Sequence, residues 1–224
     1  MMRNVLFWML PFLSVSGWSQ ENASEPKQER MPYTLKIAPL NLVNPYKQSV
    51  DVQADLPFSR RWGVDLGVGV VVNSAVFAAK KEESYRGFKV QPAVKYYLRQ
   101  SDRRNDYLSF VFKYIDIDNE RFVNVIRQGN QHAEWILHRK RLVTQGVAVR
   151  YGYQRYLGPR RRVFLEPYVG LGWRKLRIRD EALPSDAILF DRDGSFFFNR
   201  ETGIYETGDF MVGFYLGWVI SKFR

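Results

Sequence analysis

The sequence predicts an all-β chain: an eight-stranded antiparallel transmembrane β-barrel, wound as an up-and-down meander around a polar, filled interior. Three observations predict it. Apolar and polar residues alternate with a period of two, which places successive side chains on opposite faces of a strand. The alternating segments number about eight, each near the ~10 residues that a tilted membrane strand needs, whereas soluble strands commonly run to about half that. Tight turns also alternate with long connections along the chain.

The 224 residues suffice for one large β-domain. Arg3, an apolar run over 5–18, and the small residues Gly17 and Ser19 placed for cleavage before Gln20 predict a signal peptide over 1–19. A membrane anchor is the weaker reading, because the run is short and Pro11 interrupts it. The absence of cysteine excludes both a disulfide scaffold and a lipid-modified cysteine behind the signal. Residues 20–32 are polar and charged, a disordered periplasmic leader, and 33–224 form the barrel. Past Tyr33 no apolar run approaches the length of a spanning helix.

The elements follow in order. YTLKIAPLNL (33–42) is the first strand. VDVQADLP (50–57) sets Val50, Val52, Ala54 and Leu56 against Asp51, Gln53 and Asp55; its alternation alone does not say which face looks inward. RRWGVDLGVGVVVN aligns Trp62 with five apolar residues against Gly63, Asp65, Gly67 and Gly69. GFKVQPAVKYYLR sets Phe88, Val90, Val94 and Tyr96 against Lys89, Gln91, Lys95 and Tyr97, and DYLSFVFKYID sets Leu108, Phe110 and Phe112 against Ser109 and Lys113. LVTQGVAVRYGYQ, VFLEPYVGLGWR and FMVGFYLGWVIS complete the series, with Arg150, Glu166 and Arg174 on the polar side. Phe223 falls on the inward phase, so a bulge or shifted register is expected near the end of the last strand.

The connections orient the faces. FSRR, RQSDRR and LGPRRR are tight, whereas 73–86, 117–141 and 179–209 are long; NPYKQ is the exception. Outer-membrane barrels have short periplasmic turns and long outer loops. The polar face consists of glycines and charges: Lys36, Lys89, Lys95, Lys113, Arg150 and Arg174 with Asp51, Asp55, Asp65 and Glu166. Eight strands enclose a space that side chains just fill, and charges persist there only when paired. These ten residues are therefore expected to form an ionic network across the interior, centred on Lys95 and Arg150, which sit mid-strand. Trp62, Tyr96, Trp173 and Trp218 lie near strand ends on the other face, as interfacial girdles do. The aspartates point inward.

RRWGVDLGVG, KVQPAVKYYL, QGVAVRYGYQ and FLEPYVGLGW resemble segments of small Gram-negative outer-membrane barrels of the OmpA/OmpX type. The chain also looks like an uncharacterised family of single-domain outer-membrane barrels. The resemblance implies architecture and an outer-membrane location; it implies no activity. Such barrels usually end on an aromatic residue, and this sequence departs from that by ending Phe223-Arg224.

Little in the sequence points to chemistry. The two histidines, His132 and His138, flank Glu134 in one segment, but along an extended chain they lie about 20 Å apart, too far for one ion. Ser109, Thr144 and Ser221 have no histidine in phase on a neighbouring strand, so no nucleophile–base pair is expected. DRDGS (191–195) lacks the first ligand and terminal glutamate of a calcium loop, and Asp193-Gly194 suits a hairpin turn. No cofactor, metal site or enzyme activity is expected.

The net charge of +11 concentrates at the turns: Arg60, Arg61, Arg103, Arg104, Arg160, Arg161 and Arg162 form a basic periplasmic rim. Without interleaved aromatics it does not suit nucleic acid. Lipid headgroups, or an acidic protein partner, do suit it. At the other end RFVNVIRQGNQHAEWIL reads as a projecting hairpin that presents Phe122, Val125, Trp135 and Ile136. The expectation is a monomeric structural or surface-interaction protein of the outer membrane. The alternative is an accessory subunit of an envelope complex, docked through the rim.

Overall fold

In the computed structural model the strands are Tyr33–Ile37 (β1), Ser49–Pro57 (β2), Trp62–Val71 (β3), Glu83–Gln100 (β4), Arg104–Arg127 (β5), His132–Leu157 (β6), Val163–Asp180 (β7), Ala187–Leu189 (β8) and Gly203–Ser221 (β9). The structure describes residues 31–42, 48–72, 83–101, 103–127, 132–182, 187–189 and 201–221. The expected signal segment, nearly all of the leader, the 128–130 turn, DRDGS and Phe223 lie outside the described residues.

All pairings are antiparallel. β1 to β7 pair in chain order, β7 pairs with β9, and β9 with β1. Each of these eight strands is thus hydrogen-bonded to two others. The ninth, β8, is a three-residue addition that pairs with β5 at Val125–Arg127, above the point where β4 ends opposite Arg121. The ladders are regular except at Tyr97/Arg99 and between β1 and β9, where Tyr33 pairs with Ser221 but Thr34 with Val219.

Two expectations about length are corrected. β1 stops at Ile37 instead of running to residue 42, because Pro39 has no N–H to donate to a ladder. Pro39 instead opens a four-residue helix, Pro39–Leu42 (α1), whose Asn41 amide donates to the Asp51 carboxylate. The strands after β3, β8 excepted, are also far longer than about ten residues: β5 and β6 have 24 and 26, and β4, β7 and β9 have 18, 18 and 19. Much of what reads as loop over 117–141 and 179–209 is therefore strand.

Apart from the two ladder irregularities the alternation keeps its phase along these strands, but its chemistry changes sides. In the lower part the exposed face is apolar: Leu171, Phe210 and Val212 are each more than two-thirds exposed, while the opposite face buries Lys36, Asp55, Asp65, Lys95, Arg150 and Glu166. Just above Tyr114 the inside becomes apolar over one layer, beyond which Asn119, Arg121, His138 and Lys140 are again buried polar residues. Val71, Ile115, Ile117, Leu142, Leu176 and Ile178 pack as one cluster, with Tyr85 and Tyr205 against it. At that level the outside is charged, with Asp118, Arg139, Arg141, Arg177 and Arg179 exposed. The register makes it a single level: Ile117, Leu142 and Ile178 are successive cross-strand partners, and so are Asp118, Arg141 and Arg179.

Candidate functional site

Three charged residues of each sign meet inside the lower part. The Lys95 ammonium lies 2.7 Å from Asp55, 3.2 Å from Asp65 and 3.0 Å from Glu166. Lys36 lies 2.6 Å from Asp65 and 3.2 Å from Glu166, with Asp55 at 3.9 Å. Arg150 lies 3.7 Å from Asp65 and donates to Ser109 Oγ at 3.2 Å and to the Tyr215 hydroxyl at 3.0 Å. Neutral donors complete the set. Tyr107 donates to Glu166 at 2.7 Å, Tyr97 to Asp55 at 3.1 Å, and the Gln154 amide to Asp55 and Glu166 at 3.0 and 2.9 Å. Lys95 also sits 4.4 Å from the Tyr107 ring centre. Burying an ion is tolerable only when partners and hydrogen bonds replace its water, and here each ion has several.

Local sequence explains how these bulky groups fit. Polar or aromatic residues on the inner face stand opposite glycines on the neighbouring strand: Gln53 opposite Gly67, Asp51 opposite Gly69, Tyr107 opposite Gly152, Tyr168 opposite Gly213, Phe164 opposite Gly217. A Cβ at Gly213 would come within 2.7 Å of the Tyr168 hydroxyl, and one at Gly217 would overlap the Phe164 ring. The glycines are slots for cross-strand side chains.

The other members of the expected network form separate groups. Asp51 and Lys89 pair at 3.4 Å, with Ser49 accepting from Lys89. Lys113 pairs with Asp209, and Arg174, whose side chain is 39% exposed, reaches Asp209 only at 3.7 Å. The centre therefore falls on Lys36 and Lys95, with Arg150 to one side. Sequence reasoning missed Tyr97, Tyr107, Gln154, Tyr215 and Asp209. Four of them lie in phase with the charged residues of their strands, so the same alternation marks them; Asp209 lies one residue before the segment read as the last strand.

The rim residues Arg60, Arg61, Arg103, Arg104, Arg160 and Arg162 are exposed at one end, with Arg161 half-buried. Arg99 and Arg155 join them, the latter directly opposite Arg104. Asp106, 2.6 Å from Arg104, is the carboxylate the structure sets against this group. In the hairpin Phe122 and Trp135 are 52% and 57% exposed, on one face with Leu137. Val125 and Ile136 do not share that face. Val125 is three residues from Phe122 and Ile136 one from Trp135, so both point to the opposite side, where Val125 is fully buried.

Near the face exchange, two hydrogen bonds from the Arg141 guanidinium, at 2.6 and 3.0 Å, hold the Asp116 carboxyl below its ordinary range. Higher up, burial pushes the His138 imidazole down, against the pull of Asp180 and with help from Lys140 and Arg121. Among the described residues no group of three or more His, Asp or Glu is arranged to hold a metal ion.

A family model described as "Protein of unknown function (DUF3575)" matches residues 35–183. The chain belongs to this family. The match takes in Lys36, Asp55, Asp65, Lys95, Arg150 and Glu166, so the whole central cluster is DUF3575 sequence, whereas Asp209 and Tyr215 lie beyond it. No curated protein and no solved structure matches the chain.

Proposed function

We propose that this DUF3575 protein is a monomeric, non-enzymatic outer-membrane β-barrel of the OmpA/OmpX kind, delivered by a cleaved signal peptide. It acts structurally or as a surface-interaction protein through its outer hairpin. The observation that carries this reading is the exchange of faces. Over residues 62–72 the outward side is apolar for about ten steps, which at ~3.3 Å per step and a tilt of ~40° gives about 25 Å of height, the apolar band of membrane barrels. A charged interior under an exposed apolar surface suits lipid outside; in water the same surface would be a large unfavourable patch. Just above the band, at the level of Ile117, Leu142 and Ile178, the faces take the arrangement of a protein in water, apolar inside and charged outside.

The test is fractionation with sided labelling. The chain should sediment with outer membranes and migrate faster unboiled than boiled. A maleimide too large to cross the membrane should label Trp135→Cys on intact cells, and Arg103→Cys only after permeabilisation. Recovery in the soluble periplasmic fraction would turn every strand inside out and end the proposal.

The exposed arginine rim favours a second reading, an accessory subunit of an envelope complex that meets an acidic partner there. Pull-down from detergent-solubilised membranes with wild type and Arg160→Gln/Arg162→Gln separates the two. A partner lost with the variant supports the complex, and none in either leaves headgroup contact as the role of the rim.

A further inference from the structure

Just above the apolar band, Arg139 and Arg141 on β6 and Arg177 and Arg179 on β7 present four exposed guanidiniums on one outward face of two paired strands. Arg141 stands directly opposite Arg179 in the ladder. Like charges so placed destabilise an antiparallel pair. Two of the four are answered from within the chain: Arg139 by Glu120 at 2.8 Å, and Arg141 by Asp116 at 2.6 Å with Asp118 at 4.0 Å. Among the described residues no carboxylate pairs with Arg177 or Arg179. Arg179 lines a cleft of about 320 Å³ with Arg86, Arg139, Lys140 and Arg141. Of its wall acids, Asp118 and Glu120 are engaged by the other arginines and Asp180 by Lys140, which leaves Glu181 as the remaining carboxylate beside five cations. Among the described residues the positive charge of Arg177 and Arg179 is thus left without an ion-pair partner. An anion from outside would supply one.

Height says which anion. Trp173 is the last outward aromatic of β7, and Lys175, Arg177 and Arg179 follow on the same face. Each two-residue step rises about 5 Å at a tilt of ~40°. A phospholipid headgroup layer is only about 5–7 Å deep on each side of the hydrocarbon. Lys175 falls within it and is paired with Glu206 at 3.3 Å. Arg177 and Arg179 stand about 10 and 15 Å above Trp173, beyond that layer. A phosphate carried on a bulky sugar head reaches that height without either side chain having to bend down toward the membrane.

We propose that Arg177 and Arg179, closed on one side by Arg141, bind the phosphate groups of a phosphorylated glycolipid of the outer leaflet. The arginine fork suits this, because it can donate two parallel hydrogen bonds to one phosphate. The assignment rests on the membrane reading above and adds to it the identity of the lipid and the arc of the wall that meets it.

The test uses the full-length chain in neutral detergent, with its gel shift on heating taken first as the sign of a folded barrel. Binding is read by native mass spectrometry against a bis-phosphorylated glucosamine-disaccharide lipid, the same lipid without phosphates, and phosphatidylglycerol. The phosphorylated glycolipid should bind about tenfold more tightly than either other lipid, and about tenfold more weakly to Arg177→Gln/Arg179→Gln, as expected for two exposed charge-assisted contacts. Arg160→Gln/Arg162→Gln, at the opposite end, should bind as wild type does. Equal binding of phosphatidylglycerol, an undiminished affinity in the Arg177/Arg179 variant, or an equal loss in the rim variant would each overturn the assignment while leaving the barrel standing. A chain with no gel shift would bring down the barrel reading, and this assignment with it.

Discussion

Replacing Lys95 by methionine tests the interior most directly. Its ammonium is shared by Asp55, Asp65 and Glu166 at 2.7, 3.2 and 3.0 Å and is fully buried. Methionine keeps most of the volume and removes the charge, which leaves three carboxylates facing only Lys36 and Arg150. Removing one partner of a buried ion pair costs about 3–5 kcal/mol, because the other charge stays behind unanswered. Gln154 and Tyr97 still donate to Asp55, and Tyr107 to Glu166, so the lower end of that range is the one to expect. With a urea slope of about 2 kcal/mol per molar, the midpoint falls by about 1.5 M or somewhat more. The assay is tryptophan fluorescence of the chain refolded into lipid vesicles, titrated with urea. Leu171→Val on the exposed face should stay within about 0.5 kcal/mol of wild type. A second arm makes the reasoning specific to charge: adding Glu166→Gln to Lys95→Met restores the balance and should recover about 1 kcal/mol or more. A Lys95→Met midpoint no lower than that of Leu171→Val, or full additivity of the two interior changes, would refute the network as a stabilising unit.

Three further outcomes are expected. A Cβ at Gly172 would overlap the Val147 carbonyl oxygen, a backbone atom with nowhere to go, whereas one at Gly208 meets nothing within 4 Å; Gly172→Ala should cost about 1–3 kcal/mol in the same titration and Gly208→Ala almost nothing. Because burial lowers the folded His138 value, the unfolded chain takes up the proton first as pH falls. The stability present above about pH 6.5 is therefore lost below it, so the urea midpoint should drop between pH 7 and 5, and His138→Gln should flatten that drop. In the hairpin Trp135→Cys should react with a maleimide on folded protein and Val125→Cys only on unfolding; equal rates would place both on one face.

The course of the chain was legible where one face stayed apolar. From Ser49 to Val71, and over the lower halves of β4 to β7 and β9, a period of two with valines on one side and charges on the other identifies strand, length and inner face together. Two things hid the rest. One is Pro39, which ends β1 early although YTLKIAPLNL stays largely apolar to its end; a single missing N–H outweighs the composition. The other is the exchange of faces. Beyond Tyr114 the segment IDIDNERFVNVIR still alternates, but Ile115, Ile117, Val123 and Val125 turn inward while Phe122 stays outside, so a search for an apolar outer face stops at the exchange and reads loop. The ionic cluster was legible as a set of inward charges. Its centre was not, because mid-strand position says nothing about which carboxylates converge: Lys36, on the shortest of the eight strands, becomes central because β1 lies between β2 and β9 and directs its ammonium toward Asp65 and Glu166.

A central cluster of six buried charges needs a reason, since buried ion pairs can often be replaced by apolar groups without loss of stability. The proposed surroundings supply one. If the outer face of each strand is apolar, an apolar inner face would erase the alternation altogether, and a strand with two similar faces no longer distinguishes one register from the next. A slip by one residue turns every side chain over. With Asp55, Asp65, Lys95, Arg150 and Glu166 on the inner face, the same slip would push charges into lipid, and the cross-strand glycines would no longer stand opposite the side chains they accommodate. Charge and glycine together thus exclude the neighbouring registers, whatever they contribute to net stability. Just above the band that constraint lapses, because water outside already contrasts with an apolar inside, and there the interior has the apolar layer of Ile115, Ile117, Leu142, Leu176 and Ile178. The two kinds of core in one continuous set of strands follow from one rule: each face takes the chemistry opposite to what lies beyond the other.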